Sequence, residues 1–261
     1  MSPKSLNMVV GLFLLAGVLT STYADTDYST RGSGRRVSTG EGMILKMLGL
    51  TEDANDAEII PLLNDSSKRG WVCLLIRYRK IHSAIPDLLH IVNDPNIFPL
   101  GRVEAAKALC DLGNKEWIPV VKTFIVDPNS PIVCTPYVVN IAGLLARAGD
   151  YSHFELVAKD ANDSKWWIRA NAVKALSEFS HETHPVTDSA TKLLSSIATF
   201  DPMPRLREEA IYSLQKIAKK KTSVTLKVTE ALKANMNSSD KNLRSICRLL
   251  LKAREGQQSQ Q

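Results

Sequence analysis

Hydrophobic and polar positions alternate along this chain with helical rather than strand period. From residue 43 onward, apolar residues recur at spacings of three and four in segments of roughly 10 to 15 residues, separated by Asp, Asn, Pro and Gly turns. No convincing period-2 stretch interrupts them. In residues 102–112 (RVEAAKALCDL) the apolar and small side chains cover a wide face, suited to packing between two neighbours, and Gly113-Asn114 then supplies a left-handed stop. Residues 116–126 follow as a second helix with Pro119 in its first turn, where a missing N–H costs little, and Asp127-Pro128 ends it. The same reading predicts helices at 57–63, 71–78, 84–92, 131–147, 152–161, 166–179, 186–199, 204–218, 224–236 and 243–253.

The chain also matches itself. A shift of 33 residues places Asp94-Pro95-Asn96 on Asp127-Pro128-Asn129 and then on Asp160, Ile85-Pro86 on Ile118-Pro119, and Arg69 on Arg102. Later copies are longer, with Asp201 41 residues beyond Asp160 and Asp240 39 beyond Asp201. Periods of this size indicate stacked helical hairpins, because one hairpin cannot bury its apolar face alone. The run Arg102-Val103-Glu104-Ala105-Ala106-Lys107-Ala108-Leu109, followed by Leu112-Gly113 and Ile118-Pro119, resembles the HEAT-like repeat of the phycobilin-lyase type. Residues 168–176 (IRANAVKAL) and 206–211 (LREEAI) resemble it too. The resemblance covers about residues 55–253 and implies an all-α, right-handed solenoid of about five HEAT-like hairpins with capping helices. Being made of packing residues, it carries no catalytic residue over. Thr135-Pro136 stands where the repeat arginine and its neighbour are expected, so an Asp/Arg ladder along the stack is expected to break there, with a kink.

Outside the repeats the composition changes. Lys4, the apolar run at 8–19 (MVVGLFLLAGVL) and Thr22-Tyr23-Ala24 read as a secretory signal peptide at 1–24, cleaved after Ala24. Twelve apolar residues fall short of the roughly 20 that a membrane-spanning helix needs. The expected location is therefore periplasmic or extracellular. Residues 25–42 (DTDYSTRGSGRRVSTGEG) are too polar to repay the entropy of ordering and read as a flexible leader, and 255–261 (EGQQSQQ) as a frayed tail. The solenoid is expected to occupy 43–254.

Charge narrows the function more than composition does. The chain is 44% hydrophobic and 6% aromatic with a formal net charge of +6. From Met203 to Arg254, 13 Lys and Arg face four acids, a surplus of nine, which leaves the remainder at −3. A basic end on a nearly neutral stack suits an anionic surface or an acidic protein, although a terminal repeat also needs a polar outer face. The binding residues singled out are Trp166, Trp167, Arg169, Arg207, Lys216, Lys219, Lys220, Lys221, Arg244 and Arg248. Trp166 and Trp167 are adjacent on a helix and point about 100° apart, so one is expected to pack and the other to be exposed as a recognition residue.

Other chemistry is thin. Iron-binding HEAT-like proteins use several His-Glu pairs; here His181-Glu182 is the one such pair, and the segment His181 to His184 reads as a solvated loop. No metal or cofactor is expected, and no phosphate-loop, dinucleotide, zinc-protease or serine-hydrolase motif is present. Cys73, Cys110, Cys134 and Cys247 all fall in first helices and read as packed thiols, with a Cys73 to Cys110 disulfide as the alternative. The leading expectation is an exported, non-enzymatic scaffold whose concave face and basic C-terminal repeats hold a protein or anionic partner. The alternatives are a HEAT-like enzyme of lyase or DNA-glycosylase type, against which export from the DNA compartment counts, and a peripheral membrane protein held through Lys216 to Lys221.

Overall fold

The structure, a computed structural model, describes residues 39–126, 135–180, 184–219 and 221–258, and among them every regular element is helical. They form two compact units that meet in sequence at Asp87 and Leu88. The signal segment, the Asp127-Pro128-Asn129 turn, Cys134, His181 to Thr183 and Lys220 lie outside the described residues.

The first unit contains α1 (Thr39–Leu48), α2 (Asp56–Ile59) with a 3-10 turn at Ile60–Asn64, and α3 (Arg69–Arg79). Its helix at 57–63 was expected to be continuous. Pro61 lacks the N–H that a continuing α-helix needs, and the backbone tightens to 3-10 geometry instead. A capping box starts α2: Ala57 N donates to Asn55 Oδ1 at 2.9 Å and Asn55 N to Glu58 Oε2 at 2.8 Å. The leader expected to run to residue 42 ends earlier, because α1 begins at Thr39 and Glu41 is held by Arg79 Nε at 2.6 Å. Ile44, Leu45 and Leu48 of α1 pack in the core with Val72, Leu75 and Ile76 of α3.

α4 (Ile85–Asn93) spans the division between the units, with Pro86 in its first turn. The second unit continues as α5 (Pro99–Asp111), α6 (Ile118–Val126), α7 (Thr135–Arg147), α8 (Phe154–Asp160), α9 (Trp166–Leu176), α10 (Pro185–Phe200), α11 (Pro204–Ala218), α12 (Thr225–Asn235) and α13 (Lys241–Gln258). First helices pack on one another in the order α5, α7, α9, α11, α13, and second helices in the order α8, α10, α12. This is the two-layer stack of a helical solenoid. Its seam is filled by Val139, Ala142, Ala172, Val173, Leu176, Ala210, Ile211 and Leu214 from the first layer and Val157, Ala190, Leu194, Val228 and Leu232 from the second. Gly143 sits where an added Cβ would lie 3.1 Å from Ala175 Cα, so α7 and α9 approach closely there.

The turn signals act as their chemistry requires. Gly113, at φ +81°, closes α5 with Asn114 N donating to Leu109 O at 2.9 Å. Proline opens α5, α10 and α11. The helix expected from residue 131 is described from Thr135 onward as α7, with Pro136 in its first described turn, and residues 131–134 lie outside the described residues. At the other end α13 runs to Gln258 rather than fraying at residue 255, because Glu255, Gln257 and Gln258 continue a helix that already has four turns behind it.

Two sets of charges tie the second layer-pair together. At one end of the stack, Arg169 Nε and Nη2 donate to the two carboxylate oxygens of Asp201 at 2.8 and 3.0 Å, and Nη1 donates to Asp163 O at 2.8 Å. Arg69 Nε donates to the carbonyl of Leu63 and Arg244 Nη1 to that of Ser238, so in all three cases the guanidinium closes the turn six residues before it. A shift of 33 residues places Pro136 on Arg169, and Asp160 precedes Asp201 in the series of turn aspartates, 41 residues before it. Asp160 is 7% exposed and its Oδ2 is buried without a hydrogen-bond partner among the described residues. Asp201 has Arg169 as its partner, whereas no guanidinium meets Asp160 Oδ2 among the described residues. Its burial, with the Asp163 charge beside it, pushes its acid above the usual value and Lys159 offsets this only in part.

At the opposite end a second ladder runs through unbroken. Asp111 at the end of α5, Arg147 at the end of α7, Glu178 after α9 and Lys216 near the end of α11 alternate in sign, with contacts of 2.6, 2.6 and 2.9 Å. Burial opposes ionisation of Glu178, yet Arg147 and Lys216 outweigh it and hold the carboxyl below its usual value.

The two acids are expected to respond oppositely to neutralisation. A raised carboxyl contributes stability fully below its unfolded value and loses it as pH rises through the raised value, whereas a lowered one loses its contribution as pH falls through the lowered value. At pH 7, Asp160→Asn should stabilise by about 1 kcal/mol and Glu178→Gln should cost about 2 to 3 kcal/mol. Urea unfolding at pH 7 and near pH 4 checks this: both differences should shrink in acid.

Candidate basic groove

Of the 13 cations in the C-terminal region, several are already engaged. Lys216 meets Glu178, and Lys221 Nζ lies 2.7 Å from Asp188 Oδ1. Arg207 Nη2 donates to Ser238 Oγ at 3.3 Å, with Nε buried and unpartnered among the described residues. Arg244 donates to Ser238 O and, at 3.0 Å, to Ser239 O, and Arg254 Nη1 reaches Thr225 O at 3.3 Å. Arg169 is bound up with Asp201. Of the residues singled out in the sequence, Arg169, Arg207, Lys216, Lys221 and Arg244 thus hold turns or neighbouring helices. Lys219 is exposed just after α11.

Arg248 is placed differently. It lines a shallow groove between α12 and α13 with Lys233 and Lys252, over a floor of Met236 and Leu251. All three cations are exposed, and among the described residues no acid lines the groove. Helical spacing explains the convergence: Arg248 and Lys252 are four residues apart on α13, while Lys233 and Met236 are three apart on α12, so each pair shares a face. Such a groove can hold an anionic group by charge while its floor accepts apolar atoms. Lys233 and Lys252 entered the sequence reading only as part of a charge count. Projecting α12 and α13 as helical wheels on a common interface would have found them.

Trp166 and Trp167 open α9 and depart from expectation. Both are about half exposed, at 46% and 48%, and they pack edge to face on one another with ring centroids 6.1 Å apart. They occupy the first turn, before the core stripe begins at Ile168, so neither is drawn into the seam. Lys165 Nζ lies 6.0 Å from the Trp167 ring centroid. Trp117, in contrast, is fully buried and donates from Nε1 to Asn114 O at 2.8 Å.

His184 accepts from Val186 N through Nδ1 at 3.2 Å and caps α10. Among the described residues no three His, Cys, Asp or Glu side chains gather as a metal site, and no helix is long and apolar enough to cross a membrane.

Comparison with known proteins adds little. No protein-family model matches the chain, and no curated protein sequence is similar to it. A solved structure of human deoxyhypusine hydroxylase in complex with glycerol is similar over 82% of this chain and 88% of its own, at 17% identity and a TM-score of 0.34. At that score the likeness carries no argument about activity.

Cys73, Cys110 and Cys247 are thiols in the structure, and Cys73 and Cys247 are buried. Burial, with the Glu208 charge nearby, pushes the Cys247 thiol up to about 11. On the native protein at pH 8, Cys73 and Cys247 should resist alkylation and become reactive on unfolding without reductant. A thiol missing from the denatured count would instead reveal a disulfide.

Proposed function

We propose that this chain is an exported binding module that holds an anionic partner in the basic groove between α12 and α13. The observation that carries the reading is the convergence of Lys233, Arg248 and Lys252 with no acid among the described residues that line the groove, in a region where other cations are occupied by internal carboxylates and carbonyls. A cation that already serves a buried carboxylate has little attraction left for a ligand, so the unengaged groove is where an anion gains most. The two-layer stack presents this hairpin rigidly, with α11 and α10 behind it. Export supplies the setting: the signal reading of residues 1–24 places the mature N-terminus at Asp25, which end-group sequencing of the recovered protein tests.

The chain beginning at Asp25 is expected to be retained on immobilised heparin, a polyanion, and to elute as salt screens the contact. Lys233→Gln/Arg248→Gln/Lys252→Gln should elute at clearly lower salt, whereas Lys216→Gln/Lys221→Gln should elute close to the parent. Equal shifts from both variants would show that net charge alone, and not the groove, governs retention.

A further inference from the structure

The same hairpin exposes two large aliphatic side chains. Leu226 of α12 is 72% exposed and Leu249 of α13 is 69% exposed, among the most exposed large apolar residues described. Leu226 and Lys233 are seven residues apart on α12 and share a face; Leu249 follows Arg248 and precedes Lys252 by three. Ile246 and Leu250 of α13 are half-buried, while Leu243, Cys247 and Leu251 form the buried stripe that seats the helix. From Lys241 to Gln258 the helix carries five cations and one acid, Glu255. The outward face of α13 is otherwise polar, and Leu249 interrupts it.

We infer that the α12–α13 face docks on an anionic phospholipid surface. Lys233, Arg248 and Lys252 take headgroup phosphates, and Leu226 and Leu249 enter the boundary between headgroups and acyl chains. The inference rests on the anionic-partner reading above and names the partner. Charge complementarity selects a negative surface. The form of the apolar exposure selects lipid over a folded acidic protein: separate leucines flanked by cations suit a fluid boundary that closes around each, whereas a protein interface buries a contiguous apolar centre. It also moves the membrane contact from Lys216 to Lys221, where the sequence had suggested it, because Lys216 and Lys221 are held by Glu178 and Asp188.

Co-sedimentation with vesicles tests the inference, using the chain from Asp25, which retains every described residue. It should pellet with vesicles of equal parts phosphatidylglycerol and phosphatidylcholine and stay in solution with phosphatidylcholine alone. The groove triple variant should bind the anionic vesicles roughly a hundredfold more weakly, at about a kcal/mol per cation. Leu226→Ser/Leu249→Ser should bind them about tenfold more weakly while keeping parental retention on heparin. Both leucines are exposed, so an unchanged circular dichroism spectrum is expected to accompany the loss. Retention on heparin that depends on the groove, without vesicle binding, would overturn the lipid inference and leave the anionic reading standing. Loss of both would overturn both, and vesicle binding indifferent to the leucine variant would overturn the insertion of Leu226 and Leu249.

Discussion

Ion pairs between consecutive first helices set the terms for the second unit. The apolar seam between α7, α9 and α11 is made largely of Ala, Val, Leu and Ile, and attraction among such side chains is non-directional. It brings helices together but fixes their relative height poorly. The alternating chain Asp111, Arg147, Glu178, Lys216 supplies the missing direction, since each charge can be satisfied only when the helix ends are level. Arg169 does the same at the other end through Asp201. Because these pairs are partly withdrawn from water, losing one partner is costly even though the net gain from forming the pair is modest.

That constraint divides the cations into two populations. Those at helix ends and turns are committed to carboxylates or to backbone carbonyls left open at turns, as Arg69, Arg169 and Arg244 show. Those on the outer faces of the last hairpin have no such obligation, and α13 is the last element described in the stack. The basic groove is thus what remains of a positive surplus after internal demands are met. Its functional reading depends on that remainder, more than on the overall charge of +6.

Much of the architecture was legible because it rests on local chemistry. Pro119 and Pro204 in first turns and Gly113 after α5 act through backbone geometry that needs no tertiary context. The want of an arginine in that repeat is legible too, since self-alignment places Thr135-Pro136 where the arginine and its neighbour belong. The second ladder could not be seen that way. Its members alternate in sign from repeat to repeat, so a search for repeated residues passes over Asp111, Arg147, Glu178 and Lys216 even though they stand at equivalent places. The groove was missed for a related reason: a charge count gives Lys216 and Lys233 equal weight, while only packing shows that one is paired and the other open. Trp166 and Trp167 were read as one buried and one exposed; their first-turn position leaves both at the surface.

The division of cations is open to direct measurement. Residue-by-residue amine acetylation of the native protein, followed by mass spectrometry, reports how freely each lysine reacts. The account predicts that Lys233 and Lys252 react several-fold faster than Lys216 and Lys221, and that the contrast disappears in denaturant. If Lys216 and Lys221 react in the folded protein as fast as Lys233 and Lys252, the ladder does not sequester them and the groove has no privileged claim on an anion.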